Sequence, residues 1–363
     1  MGRTLALVGG GHAHVEVLRQ LAEHPNSDLD VALFDPSPSV WYSGMVPGVI
    51  AGHYKPAEAK VNLWALCQRA RVRFFETAVT RIDAAKQRIY TAQGERHFYD
   101  MLSLNVGGAT RTLPITEGAF VVPVKPIGGL VDMVEERSQL TASQVKMAVI
   151  GGGAAAVEVA LALAHRWRGR NCQLSIVASG QLLAQFPAFA RRRALQSCAD
   201  YRIKVIESRR VIRLDPGRLC LDGGETVVCH VAILATGHAA PELLRSSGLE
   251  LAPDGTAATN ASLQSINRPN VFAVGDCASV VSARHPKAGV TSVRQGRVLL
   301  SCLNAYARGE RLPTWRSSTE ALALITLGDR QAIAARNGFA IAGAWVWRWK
   351  DAIDRRWIKR YTV

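Results

Sequence analysis

Short apolar runs, each closed by glycines and followed by an amphipathic stretch, recur along most of the chain. Thr4–Val8 is such a run, suited to a parallel strand buried on both faces. Gly9-Gly-Gly11 follows at once, and His12–Glu23 then sets Val15, Leu18 and Leu21 on one face of a predicted helix. Asp30–Asp35 reads as the next strand and ends in an acid. The succession repeats: strand Val145–Ile150, turn Gly151-Gly-Gly153, an apolar helix through Ala164, and strand Gln173–Ala178. Alternating strands and helices of this kind predict an α/β fold with parallel sheets.

The two glycine turns carry chemistry. Gly9 allows a tight turn and Gly11 lets the backbone approach a pyrophosphate, which the amino end of the following helix attracts. Asp35 is placed to accept from ribose hydroxyls. In the second turn Gly151, Gly153 and Ala156 form G-x-G-x-x-A, whereas the first has His14 at the third small position. The second unit has Ala178-Ser-Gly180 where a ribose-binding acid is expected. That favours NADPH or use of both nicotinamides, with Arg191, Arg192 and Arg193 either neutralising a 2′-phosphate or lying on a solvated helix face.

Composition narrows the class. Hydrophobic residues make up 48% and charged residues 20%, an ordinary globular balance. Lys and Arg number 44 against 29 Asp and Glu, a net charge of +15, which suits an anionic membrane surface or phosphorylated cofactors; nucleic acid is not expected as the partner. The seven Cys are scattered and none forms C-x-x-C, so neither a redox dithiol nor a metal is expected, and a reducing cytoplasm suits them. No apolar run reaches the length of a membrane span. Near the end, Gly328-Asp329 and Asn337-Gly338 within Thr326–Ala340 predict a β-hairpin. Beyond it Trp345, Trp349, Ile353, Trp357 and Tyr361 recur every fourth residue on a basic helix. Residues 345–361 therefore present an aromatic stripe either to an anionic membrane or to the parent domain or a dimer mate.

Three further segments complete a pattern: Val231-Ala-Ile-Leu-Ala-Thr-Gly237, Tyr99–Gly107 with Asn105-Val-Gly in place of Ala-Thr-Gly, and Arg268–Asp276. With the two glycine turns they resemble the pyridine nucleotide-disulfide oxidoreductase superfamily, in which the acid of the last segment binds the ribityl chain of FAD. Within it the chain is similar to the type II NADH dehydrogenase group. Gly9–His14, Trp41–Gly48, Val293–Gly296, Gly328–Arg330 and Trp347–Asp351 resemble the NADH dehydrogenase-like flavoprotein module fused to selenide, water dikinase.

The resemblance implies two Rossmann-like dinucleotide-binding domains with three-layer sheets and a small C-terminal α+β extension. Residues 1–115 and 246–310 would bind FAD, residues 116–245 NAD(P)H, and residues 311–363 form the extension. It implies cofactor contacts from Gly9, Gly11, His12, Ala13, Asp35, Ser43, Gly44, Val79, Asn105, Gly107, Gly275, Asp276 and Val293, and from Gly151, Gly153, Ala156 and Gly237. Hydride would pass from NAD(P)H to the flavin and electrons on to a quinone-type acceptor without a thiol relay. The helix starting near Gly289 would stabilise charge on the reduced flavin. Lys125 either partners the flavin or is an exposed linker lysine; Glu158 lies near the nicotinamide or faces solvent; Tyr42 lines the acceptor face or covers the core. Gln295 is displaced by one position from the Gln of the quinone group's motif. A flavoprotein reductase serving selenium or sulfur metabolism and a slowly turning flavin-binding interaction protein remain as alternatives. The expected location is the cytoplasm or the inner face of the membrane.

Overall fold

The computed structural model describes residues 2–138, 145–283, 285, 287–316 and 321–362. Two parallel five-stranded sheets organise them. The first runs Val271–Ala273, Met101–Leu104, Arg3–Val8, Leu29–Asp35, Arg73–Glu76. The second runs Val121–Pro123, Val231–Leu234, Val145–Ile150, Cys172–Val177, Lys204–Ile206. Each unit also holds a three-stranded antiparallel sheet, spanning Val79–Asp83 to Arg96–Phe98 in one and Val211–Asp215 to Thr226–Val228 in the other.

Alternation along the central strands produces the layers, because successive side chains leave a strand on opposite faces. Leu5 and Leu7 pack with Val15 and Leu18 of helix His12–Glu23 and with Leu299 and Leu303 of helix Gly289–Arg308. Ala6 and Val8 face the other way, toward Ile82 and Ile89 of the small sheet. The second unit repeats the arrangement: Met147 and Val149 meet Val157, Ala160 and Leu161, while Ala148 and Ile150 meet Val211, Leu214 and Leu219. The two helices over the first sheet cross closely at Gly296, where an added Cβ would lie 2.7 Å from the carbonyl oxygen of Ala13.

The first sheet takes its outer strand Val271–Ala273 from beyond the whole second sheet, so the second unit is inserted into the first. The chain crosses out and back side by side, with Ala109–Thr110 pairing antiparallel to His238–Ala239. The expected hairpin is the core of a three-stranded sheet, Ala323–Thr326, Ala332–Arg336 and Phe339–Gly343. Asn337 and Gly338 both have positive φ in its second turn, as a two-residue turn of this hand requires.

The C-terminal helix, Ala344–Tyr361, corrects the expectation of one aromatic stripe. Its buried residues are Val346, Lys350, Asp354, Trp357 and Tyr361, whereas Trp345, Trp349 and Ile353 are exposed. Four residues overshoot a helical turn by about 40°, so four such steps rotate about 160° around the axis. Trp345 and Tyr361 therefore stand on nearly opposite faces. The end of the stripe packs on the parent fold and its beginning faces outward.

Candidate active site

Residues just past the carboxyl ends of the two parallel sheets meet where Lys125, beyond Val121–Pro123, pairs with Asp276, beyond Val271–Ala273, and such carboxyl ends are where these folds bind nucleotides. A cavity of about 1040 Å³ with Lys146, Cys172 and Lys204 in its wall lies at the amino ends of the second sheet instead and is not the candidate site.

Asn105 organises the first glycine turn. Its Oδ1 accepts from the amides of Ala13 and His14 at 3.0 and 3.3 Å, and its Nδ2 donates to the Val274 carbonyl at 3.0 Å. A Cβ on Gly11 would sit 2.4 Å from Asn105 Oδ1, and one on Gly9 2.6 Å from its carbonyl oxygen. Gly9 also has φ of 86°, a conformation that favours glycine. Asp35 accepts from the Gly10 amide at 2.6 Å and from Ser37 at 2.9 Å; burial pushes its carboxyl up, against those two amides. His14 fills its helix–strand contact with a bonded ring: Nδ1 lies 2.6 Å from the Gly9 carbonyl and Nε2 2.8 Å from Ser103 Oγ. Burial lowers its pKa to about 4. Val79 opens its strand at the edge of the same core.

Asp276 follows Gly275 in a short turn just beyond the outer strand Val271–Ala273, and Lys125 Nζ donates to it from the other unit. Burial would push Asp276 up, but Lys125, with His238 and Lys287, holds it below the ordinary carboxylate range. The structure thus resolves Lys125 as a partner of Asp276 rather than a free linker lysine. Gln295 is fully buried and accepts the Gly275 amide through Oε1 at 2.7 Å, so it underlies the Asp276 turn and faces no open acceptor space. Gly107 and Gly237, both with positive φ, bend the two crossing segments, and Val293 packs against the core beside helix His12–Glu23.

Around this point the amino end of helix Gly289–Arg308 meets the Trp41–Gly48 segment. A Cβ on Gly289 would be 3.1 Å from Ser43 Oγ and 3.7 Å from His12 Nε2. His12 Nε2 and both ring nitrogens of His238 are buried without a partner. A glycine cradle that rejects side chains, a carboxylate beyond it and unmet ring nitrogens around that carboxylate fit a polar dinucleotide such as FAD.

Beside it lies a charged cluster that the sequence pattern did not reveal. Lys350 Nζ donates to Asp354 Oδ2 at 2.6 Å and to the Gly44 carbonyl at 2.5 Å. The Tyr42 hydroxyl donates to Asp354 Oδ1 at 3.0 Å. Glu158 is half-buried and bonded: Oε1 accepts from the amide and hydroxyl of Thr326 at 2.9 and 3.1 Å. Burial raises its pKa, with the Lys350 charge acting against the rise. Burial, then the Asp354 charge, pushes the Tyr42 phenol well above its usual value. Two charges at spacing 4-4-3-4 among Val346, Lys350, Asp354, Trp357 and Tyr361 were the available signal, since the other three are apolar or aromatic and mark one face.

The second turn places Gly151 with φ of 147°, where a Cβ would meet the Ala235 carbonyl oxygen at 2.2 Å, and opens its helix at Gly153 with Ala156 fully buried behind. An acid reaches this site from the next strand. Glu207 accepts from the Leu182 amide at 2.6 Å and pairs with Arg191 at 2.6 Å. Arg193 is held by Gln331 at 2.7 Å. Two of the three arginines considered for a 2′-phosphate are thus engaged, one of them by an acid.

The pyridine nucleotide-disulphide oxidoreductase family matches residues 3–296. The chain belongs to that family. FAD is its cofactor and NAD(P)H its substrate. This oxidoreductase is 24% identical, over 75% of its length and 71% of the relative's, to demethylphylloquinone reductase NdbB of Synechocystis sp.. It is 23% identical, over 74% and 72%, to ferroptosis suppressor protein 1 of Taeniopygia guttata. Its fold matches the sulfide:quinone oxidoreductase of Aquifex aeolicus at TM-score 0.81 and 17% identity, covering 99% of this chain and 91% of that one. The NADH complex of NDH2 from Plasmodium falciparum matches at TM-score 0.81 and 15% identity, covering 99% and 98%. All seven cysteines of the oxidoreductase are free, and burial pushes Cys277, beside Asp276, up to about 11.

Proposed function

We propose that this oxidoreductase is an FAD-dependent NAD(P)H dehydrogenase of the type II NADH dehydrogenase kind that hands electrons to a quinone-type acceptor at a membrane face. The observation that carries the reading is the junction itself: a dinucleotide cradle at Gly9–Gly11 and Asp276 and a second at Gly151–Gly153, in a chain without a C-x-x-C pair. Bound FAD supplies hydride acceptance at its ring and electron release to the acceptor.

The residues around it have separable tasks. Asn105 shapes the glycine turn that would hold the pyrophosphate at the amino end of helix His12–Glu23. Lys125 fixes the Asp276 carboxylate. Lys350, held between Asp354 and Gly44, supplies a cation beside Tyr42, and burial at the same junction raises the affinity of Glu158 for a proton. These groups suit an acceptor that takes up protons with its electrons.

The membrane face is the outward half of the C-terminal helix. Trp345, Trp349 and Ile353 are 51%, 42% and 40% exposed. A cavity of about 370 Å³ there is lined by Arg297, Trp349, Ile353, Arg356, Trp357 and Arg360. Cations beside exposed indoles suit anionic headgroups. Trp357 joins this surface to the site, because its other side lies on Tyr42. Among the described residues no helix is long and apolar enough to cross a membrane.

Turnover of NADH or NADPH with a short-chain quinone tests the reading. Quinone should reoxidise the reduced flavin faster than oxygen does; reoxidation that ignores quinone would overturn the assignment.

A further inference from the structure

We propose that His238 completes the flavin site from the nucleotide-binding unit, hydrogen-bonds the bound FAD, and takes up one proton when that FAD is reduced. The inference rests on the FAD-dependent dehydrogenase reading above.

The position is set by the crossing strands. His238 follows Gly237 at the end of the segment leaving the second sheet, and it pairs opposite Thr110 of the segment leaving the first. Its ring occupies the room that a side chain at 108 would need. A Cβ on Gly108 would fall 2.1 Å from His238 Cε1 and 2.3 Å from Nδ1. A residue of the inserted unit is thereby laid against the Asn105–Gly108 turn of the FAD unit.

Both ring nitrogens are buried and neither has a hydrogen-bond partner. An imidazole offers one donor and one acceptor when neutral, and leaving both unmet in the interior is costly. Packing alone would be served by an apolar ring. The unmet nitrogens call for a polar partner, and FAD is the ligand that the adjoining cradle fits.

The charges facing His238 say what else it does. Asp276 favours its protonation; Lys287 and Lys125 oppose it, and Asp254 favours it again. Lys125 is engaged by Asp276, and Lys287 Nζ donates to Ser279 Oγ at 2.9 Å and lies 3.6 Å from Asp254. Burial outweighs these influences and keeps the ring neutral in the resting protein. Among the side chains of this group, an imidazole is the one that ordinarily changes charge near neutral pH. Reduction adds negative charge to the site, which raises the affinity of the ring for a proton. NAD(P)H delivers two electrons and one proton as a hydride. The proton that His238 binds is taken from water and is released when the acceptor withdraws the two electrons.

Anaerobic potentiometry of the FAD-loaded full chain tests this without any turnover. One proton per two electrons tilts the midpoint potential by about 30 mV per pH unit, and two protons by about 60 mV. The wild-type slope between about pH 7 and 8 should approach the steeper figure, and His238→Gln, which keeps hydrogen-bonding capacity without titrating, should return to the shallower one. A wild-type slope near about 30 mV, or a variant slope equal to the wild-type, overturns the proposal. Should His238→Gln lose its FAD, the wild-type slope alone decides. Failure of the underlying reading looks different: the wild-type protein would bind no FAD, or NAD(P)H would leave its FAD oxidised.

Discussion

The phenol of Tyr42 lies flat on the indole of Trp357, with ring centroids 4.1 Å apart and planes 13° from parallel. His12 approaches both rings, at 5.6 and 5.3 Å. This stack ties the C-terminal helix to the first glycine turn, so the extension is part of the candidate site rather than an appendage. Trp357→Ala should lose about 3–5 kcal/mol of stability, measured by urea unfolding, and should alter the absorbance of bound FAD. An unchanged urea midpoint would mean that the stack carries no packing energy.

The Lys350–Asp354 pair is almost fully enclosed, with side-chain exposures of 8% and 5%. Removing one partner of such a pair leaves an uncompensated charge and costs about 3–5 kcal/mol, while replacing both with apolar residues of similar size is close to neutral. Lys350→Met should therefore be destabilised far more than Lys350→Met/Asp354→Leu in thermal unfolding. Quinone turnover should fall in both variants if Lys350 serves the acceptor. A double variant with full turnover would remove Lys350 from that role.

Glu207 occupies Arg191 beside the second glycine turn. Glu207→Gln keeps an acceptor for the Leu182 amide but releases the guanidinium. The ratio of kcat/KM for NADPH over NADH should rise by about tenfold, the scale of one charge contact in substrate discrimination. A ratio unchanged within twofold, or one that falls, would place Glu207 outside the recognition of the nucleotide.

Burial holds His14 neutral, its pKa lowered to about 4 from an unfolded value of 6.5. Because the folded value is the lower one, the unfolded chain binds the proton first as pH falls. Stability is then complete above about pH 6.5 and declines down to about pH 4, the contribution of His12 adding in the same sense. His14→Gln should flatten the fall in Tm across that window. A variant curve parallel to the wild-type would contradict this.

The exposed half of the C-terminal helix should bind vesicles containing anionic lipid. Trp345→Ala/Trp349→Ala/Ile353→Ala removes apolar residues outside the buried core and should release the protein from such vesicles with little loss of Tm. Co-sedimentation unchanged in the triple variant would move the contact elsewhere.

Much of the fold was legible because nucleotide cradles constrain the sequence locally. The glycine turns, the helix His12–Glu23 and the strand Val145–Ile150 all stand where apolar periodicity and turn chemistry placed them. The aromatic stripe misled because a spacing of four looks constant in sequence yet precesses around a helix. Lys350, Asp354 and His238 stayed hidden for another reason. Their long-range contacts, at Gly44, Tyr42 and the Asn105–Gly108 turn, are remote in sequence, and the face that Lys350 and Asp354 share with Val346, Trp357 and Tyr361 was masked by the aromatic repeat beside it. Glu207 was overlooked because the acid was sought on the strand Cys172–Val177 and is supplied by its neighbour, Lys204–Ile206.

The visible spectrum of the purified protein under anaerobic addition of NADH or NADPH tests the central claim most directly. The account predicts a yellow protein that bleaches within a single turnover and recovers its colour on mixing with quinone. A colourless preparation that stays so after incubation with FAD, or a yellow one that neither nicotinamide bleaches, would contradict it.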